Sequence, residues 1–517
     1  MRSLHSHLLA VLLLLLHLPF SVDALPTDSL LAPRAAPPVQ YTANPSVGSG
    51  SGSFKDSAHF RVYNAPAATS DQTLKILEAA HSCFVETLGW RTPGLSINTP
   101  PQNGAEVGPW YKMNIYQVPS SEIGGAAGAQ WTDGQKGLAF LKVVGDYIAN
   151  PGVIVHEFGH AMHYSEKNWV DQIRTGAWWE PIANYIAELY IATPTCSVPK
   201  RAAGLPDGDS TIDLRKVIGD SFQTLVDGTS GSGNYYQSWP FLSYIENNPD
   251  NFPGLGNQTL LNMIRKYKLN SNETPLHSLE RLLSGSLTVQ RIVGRYWARM
   301  AFVDIGHAKA KQLFDAQRRN LNINYANLDT NGNGKYTVKS ARAPRYMGAN
   351  VIPLKNPGSS VSITISVNAG GSYAATLAVK AGNGSVRYVD VVGGTGNVAV
   401  AVGEELMLVV ANTPALVLYD PFKIPAEVNK GLGYSLGNDW YSFQVNVESA
   451  IDFHWQSFEE ISKERVLYKE GGKGTKERPG DSITVKVIRS INTPLFHYRY
   501  QYIDEEAGEK VVAVPRA

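Results

Sequence analysis

Five consecutive residues, His156-Glu157-Phe158-Gly159-His160, constrain this chain more than any other stretch. Two histidines four apart share one face of a helix, so both imidazoles can reach a single metal ion. The surrounding run, Val153 to Tyr164, is mostly apolar and predicts a helix buried in a core. Burying ionisable side chains without partners is costly, and a metal relieves that cost. Asn150-Pro151, just before the run, supplies an N-cap and a first-turn proline. Glu157 stands where it can take a proton from a water polarised by the metal. Zinc-dependent hydrolysis is the expectation, with Zn2+ as cofactor.

A catalytic zinc usually takes three protein ligands. Glu166, Glu180, Glu188 and His163 all follow the motif closely enough to be the third. Glu180 is preferred. Its distance from His160 allows a turn and a second helix that returns beside the first, with Pro181 tolerated only near that helix's start. Asn184, one turn further on, then shares the face of Glu180 and can accept from the free ring N–H of a histidine ligand, fixing its tautomer. A ligand at Glu166 would instead follow metzincin spacing, which wants glycine where this chain has His163.

His156-Glu-Phe-Gly-His160 with Glu180 resembles the gluzincin clan of zinc metallopeptidases, the thermolysin-like pattern. That resemblance implies a zinc ion held by His156, His160 and Glu180, with Glu157 as general base. In the clan an aspartate supports the histidine where this chain has Asn184. Three further stretches, Cys83-Phe-Val-Glu-Thr-Leu-Gly-Trp-Arg-Thr-Pro-Gly94, Thr175-Gly-Ala-Trp-Trp-Glu180 and Tyr235-Tyr-Gln-Ser-Trp-Pro-Phe-Leu242, are similar to a poorly characterised group of secreted proteins from fungi, some labelled dockerin-like. The similarity spans roughly residues 55–450 and carries no settled function.

Residues 1–24 read as a secretory signal peptide: Arg2, an apolar run from Leu8 to Leu16, then Val22-Asp23-Ala24. The expected localisation is secreted and extracellular, with no membrane association after signal removal. In an oxidising compartment the only two cysteines, Cys83 and Cys196, are expected to pair; two separate buried thiols are the alternative. Asn257, Asn272 and Asn383 begin sequons that permit glycosylation. Lysine plus arginine number 46 against 45 acidic residues, so no electrostatic footprint for nucleic acid is present.

The fold class expected is α+β. Residues 25–55 are rich in Pro, Ala, Ser and Gly and read as a flexible leader. Residues 56–345 read as a mainly helical zincin-like domain with an N-terminal sheet. A strand is expected at His59–Tyr63, a helix from Asp71 and a strand at Tyr111–Val118. Gly124–Gly128 is expected to form an edge strand able to hold an extended substrate. Residues 346–450, with short valine-rich alternations, predict an antiparallel β-sandwich, and 451–517 a small β-rich extension with strand patterns at 483–488 and 496–503.

These readings converge on a secreted zinc metallopeptidase acting on peptide, protein or glycoprotein substrates. Attack on a peptide carbonyl creates an oxyanion, for which Tyr235 or Tyr236 is the candidate donor; aromatic packing is the alternative for each. The competing class is a non-catalytic zinc-containing module that recognises glycan or protein. Asp329-Thr-Asn-Gly-Asn-Gly334 matches the start of a calcium loop, but Ser340 stands where the bidentate glutamate belongs, so a tight turn is expected.

Overall fold

Alternating apolar residues on successive short strands build the first layer of this protein. In the computed structural model the described residues are 37–437 without 49, 103–104, 170–172, 233, 333–334 and 355–360, together with the backbone of three strands near the C-terminus. The signal-peptide reading and the leader up to residue 36 lie outside them. Residues 1–38 and 99–108 form one unit, whose described part holds a single bridge between Gln102 and Ala105. Everything that follows concerns the other unit.

Its N-terminal sheet contains β1 (Phe54–Asp56), β2 (Phe60–Tyr63), β3 (Met113–Val118), β4 (Gly128–Asp133) and β5 (Leu138–Val144), in the order β1-β2-β3-β5-β4. β2, β3 and β5 are parallel, and β1 and β4 flank them antiparallel. Side chains alternate between faces. Val62, Ile115, Leu141 and Val143 enter the main core, while Tyr63, Tyr116 and Phe140 pack on the other face with Val47. The flexible-leader reading therefore fails from Val39 onward. Tyr41 and Val47 are buried. The Asn114 amide donates to the carbonyls of Asn44 and Val47, and the Tyr116 hydroxyl donates to the carbonyl of Val47. Side chains of β3 satisfy this segment's backbone, which composition alone does not reveal.

Helix α1 (Ala67–His81) follows β2 and begins four residues before the expected Asp71, with Pro66 at its N-cap. Helices α2 (Pro151–Ser165) and α3 (Trp179–Ala192) carry the candidate site and pack along each other. A Cβ at Gly159 would lie 3.1 Å from the Ala183 Cα and 3.3 Å from the Ile186 Cβ, so glycine in mid-helix lets α3 come close. Cys83 and Cys196 form a disulfide, Cα to Cα 5.3 Å, joining the turn after α1 to the turn after α3. Closing a loop of this length stabilises a fold by roughly 3–5 kcal/mol. The bond also fits an oxidising compartment.

Further helices include Trp239–Asn247, Thr259–Arg265 and Val289–Met300. Two antiparallel sheets then stack. One contains Val386–Asp390, Tyr373–Lys380, Glu405–Asn412 and Ala349–Leu354; the other contains Thr395–Val400, Val361–Ala369, Tyr434–Gly437, Tyr336–Val338 and Leu328–Thr330. The first is buried on both faces. Leu377, Leu408 and Val410 meet the second sheet, and Ala378, Met407 and Val409 join the core beneath the helices. Its central strands Tyr373–Lys380 and Glu405–Asn412 consequently read as nearly continuous apolar runs, whereas Thr395–Val400 alternates exposed and buried. The sandwich takes in two strands before residue 346. They form a hairpin whose turn closes from the Asn331 N–H to the Lys335 carbonyl, as the turn reading of that loop expects. Near the C-terminus, Val485–Ile488, Arg499–Asp504 and Gly508–Val512 form a three-stranded antiparallel sheet. The molecule is thus α+β. No described helix is long and apolar enough to cross a membrane.

Candidate metal centre

Asn150 caps α2 by accepting from the Gly152 N–H at 2.8 Å, with Pro151 in the first turn. Val153, Ile154, Val155, Phe158, Ala161 and Met162 bury the helix on nearly every side. His156 and His160 form the partly open stripe. Their rings stand at 89° to each other with Nε2 atoms 3.0 Å apart. Glu180 comes from the first turn of α3, with Oε2 lying 3.2 Å from His156 Nε2 and 3.5 Å from His160 Nε2. That oxygen is buried and makes no directed hydrogen bond. Zinc–nitrogen distances are about 2.0–2.1 Å, so one ion can touch both imidazoles at this separation. The donor set fits zinc, for two imidazole nitrogens and one carboxylate oxygen converge within 4.8 Å of one another.

Asn184, one turn beyond Glu180, accepts at Oδ1 from His156 Nδ1 at 2.8 Å, as the sequence predicts. This fixes the proton on Nδ1 and leaves the Nε2 lone pair facing Glu180. The Asn184 amide is itself held, donating to the Tyr236 carbonyl at 2.7 Å. Burial works against the ionised Glu180, but the adjacent imidazoles outweigh it and hold the carboxyl well below the usual range.

Glu157 is buried against the edge strand. A Cβ at Gly128 would lie 2.8 Å from both its Cγ and its Oε1, so only glycine leaves this carboxylate its place. The Gln130 backbone N–H donates to it. Burial raises the Glu157 pKa, with His156 and His160 pulling the other way. The edge strand is β4 and begins at Gly128; Gly124 and Gly125 turn the chain before it with φ of 63° and 86°. The expected strand at Gly124–Gly128 is therefore displaced, because two residues of positive φ cannot extend a ladder. Sequence reading missed the glycines' exact uses: a lone glycine within a helix or at a strand end signals close approach without naming the partner.

Tyr235 and Tyr236 lie in a helical turn against α3, ring centroids 4.5 Å apart. Burial first, then the charge of Glu180, raises the Tyr236 hydroxyl pKa. Tyr235 is raised by burial, with Glu180 adding to it. Both stay protonated at neutral pH and remain donors beside the cluster.

The rival ligands are occupied elsewhere. Glu166 is buried in a bidentate pair with Arg265, both bonds 2.8 Å, and accepts from the Arg91 N–H at 2.6 Å. Glu188 continues α3, accepts from Thr211 and lies 3.1 Å from the buried His307. His163 is neither a supporting ligand nor a surface group. It lies buried edge-on to Trp169, and burial holds its pKa down at about 3. Trp178 packs in the core, and Trp179 remains partly exposed. Of the sequon residues, Asn257 and Asn383 are exposed, whereas Asn272 is half-buried and its carbonyl accepts from Arg174.

Fold and site together define an α+β chain with a His–His–Glu cluster between two helices and an edge strand. The chain belongs to the family described as "Family of unknown function (DUF6055)", whose model matches residues 52–414. A search of curated proteins gave no match.

Proposed function

We propose that this protein is a secreted, zinc-dependent peptidase of the gluzincin pattern, with a zincin-like domain ahead of the sandwich. The observation that carries the reading is convergence: Glu180 Oε2 lies 3.2 and 3.5 Å from the Nε2 atoms of two imidazoles whose planes are perpendicular. His156, His160 and Glu180 would hold the ion. A zinc ion there supplies Lewis-acid polarisation of a water molecule and of the scissile carbonyl.

Asn184 orients His156 so that its Nε2 stays available. Glu157 takes the proton from water and delivers it to the leaving amine. The Gln130 N–H and the bare Cα of Gly128 hold its carboxylate in place. Tyr235 or Tyr236 donates to the oxyanion. Among the described residues β4 pairs with β5 alone, which leaves its outer edge for an extended peptide.

Glu157→Gln tests the assignment. The variant is expected to keep one zinc per chain and to lose at least ~10³-fold in cleavage of a mixed peptide substrate, since base and positioned water fail together. Cleavage at the parental rate would remove Glu157 from the role. Zinc in the parent with no cleavage of any peptide would favour a binding module instead.

A further inference from the structure

Past the last strand of the inner sandwich sheet the chain returns to the helical part and is fastened there. The Tyr419 hydroxyl donates to the Val226 carbonyl at 3.0 Å, and the Gly228 N–H donates to the Pro421 carbonyl at 2.9 Å. Between these anchors and the next turn stands Phe422. A Cβ at Gly176 would lie 2.8 Å from its ring, as would one at Gly228, so two glycines make the seat for this side chain. Its ring meets Tyr235 edge-on, centroids 6.3 Å apart and planes at 75°. Tyr235 packs against Tyr236, and the Tyr236 carbonyl is tied to Asn184 beside His156. Three aromatic rings therefore run from the sandwich's return loop to Tyr236, whose backbone carbonyl holds the asparagine that supports His156.

Phe422 is 48% exposed. Two seats carved by glycine hold it in place, yet half of it is left facing solvent. A large ring that is seated by its neighbours and open to solvent offers apolar surface to a ligand at little ordering cost. Trp179, next in sequence to Glu180, is also partly exposed at 39%.

We infer that Phe422 forms the wall of a specificity subsite, which takes a large apolar or aromatic side chain of the peptide bound at the metal cluster. The inference rests on the peptidase reading for its ligand. It also gives the sandwich a role in recognition, since the sandwich delivers a specificity residue to a site built entirely from the preceding domain. The occupant is an apolar side chain because the wall offers rings. Two polar groups beside it are committed: the Asp420 carboxylate accepts from the Phe422 N–H, and the Gly228 N–H is bonded to Pro421.

The experiment uses the full chain, zinc-loaded and carrying Glu157→Gln so that bound peptides survive, with a synthetic randomised peptide mixture as probe. Retained peptides are expected to be enriched in Phe, Leu, Met or Tyr at one position. Adding Phe422→Ala should reduce that enrichment by about 10-fold or more, and Phe422→Leu should largely restore it. Zinc content and melting temperature of each variant report whether fold and metal site survive. Bound peptides without apolar enrichment, or enrichment unchanged by Phe422→Ala, would overturn the subsite. Should the parent chain cleave nothing while enrichment still depends on Phe422, the hydrolytic reading falls and the subsite stands. Failure of any peptide to bind removes both.

Discussion

Two groups of histidine and glutamate in this chain look alike on paper and differ in geometry. His156, His160 and Glu180 form one; His59, His81 and Glu86 form the other, and in each the potential ligand atoms lie within 4.8 Å of one another. In the first, the imidazole planes are at 89°. In the second they stack, at 11° and 3.8 Å between centroids. A ring nitrogen's lone pair lies in the plane of its ring, so parallel stacked rings cannot aim two lone pairs at one cation, whereas perpendicular rings can. The second group also spends its acids differently. Glu78 binds His59 twice, through the backbone N–H at 2.9 Å and Nδ1 at 2.7 Å. His81 is buried with neither nitrogen in a directed hydrogen bond, 3.4 Å from a half-exposed Glu86. Proximity of ligating residue types is thus a weak criterion; direction, fixed by supporting contacts such as Asn184, separates a metal centre from a packed histidine pair.

The sharpest way to break this comparison is a metal count. His156→Ala combined with His160→Ala is expected to leave the chain without stoichiometric zinc after dialysis against micromolar zinc, a loss of at least ~10³-fold in affinity when two of three ligands go. His81→Leu should bind one zinc per chain, as the parent does. A second equivalent in the parent that His81→Leu removes would make the stacked group a metal site and refute the argument from ring planes.

The next effect is smaller and concerns the support. Asn184→Ala frees the His156 tautomer and is expected to weaken zinc binding about 10–100-fold, measured by competition with a chelator. Asn184→Asp, restoring a charged acceptor at the same spacing, should bind at least as tightly as the parent. Zinc affinity in Asn184→Ala equal to the parent's would show that the amide holds the Tyr236 segment rather than the ligand.

Which parts of this could be read before the structure follows from how local each signal is. His156 with His160, and Glu180 with Asn184, are each four apart on one helix face, so the two pairs are legible from helix period; which acid meets the imidazoles is not. The pairing of Cys83 with Cys196 matches the expectation drawn from the chain's only two cysteines. Gly128 and Gly159 carry no such local code. Each is glycine because a residue distant in sequence, Glu157 for one and Ala183 for the other, occupies the space of a side chain. The fastening of residues 39–47 is equally non-local, for Asn114 and Tyr116 turn a polar, proline-rich leader into part of the sheet. Glu166 and Glu188 shared the motif's neighbourhood, and only the positions of Arg265 and His307 show that both are spent on ion pairs.

The smallest effect distinguishes the two groups by their response to acid. Burial holds the His81 pKa below its ordinary value of 6.5, with Glu86 opposing and the neighbouring His59 reinforcing the shift. In the unfolded chain this ring binds a proton near pH 6.5, and in the folded protein it does so only at lower pH. The unfolded state therefore holds more protons throughout that interval, and stability falls as pH drops below 6.5. Glu86, whose pKa is lowered to about 2 chiefly by its close contact with the His81 ring, contributes stability that is present above 4.5 and lost below it. The interval from 6.5 to 4.5 thus reports histidines rather than this carboxylate. His163, held down at about 3, adds a parallel slope there, so the informative quantity is a difference. Denaturant unfolding of the zinc-loaded protein at several pH values should give a dependence that His81→Leu makes shallower, by up to about 1.4 kcal/mol per pH unit. An identical slope in parent and variant would mean that the stacked pair takes up its proton without penalty, as a charged pair shared between Glu78 and Glu86 would, and the contrast with the perpendicular histidines would then rest on ring orientation alone.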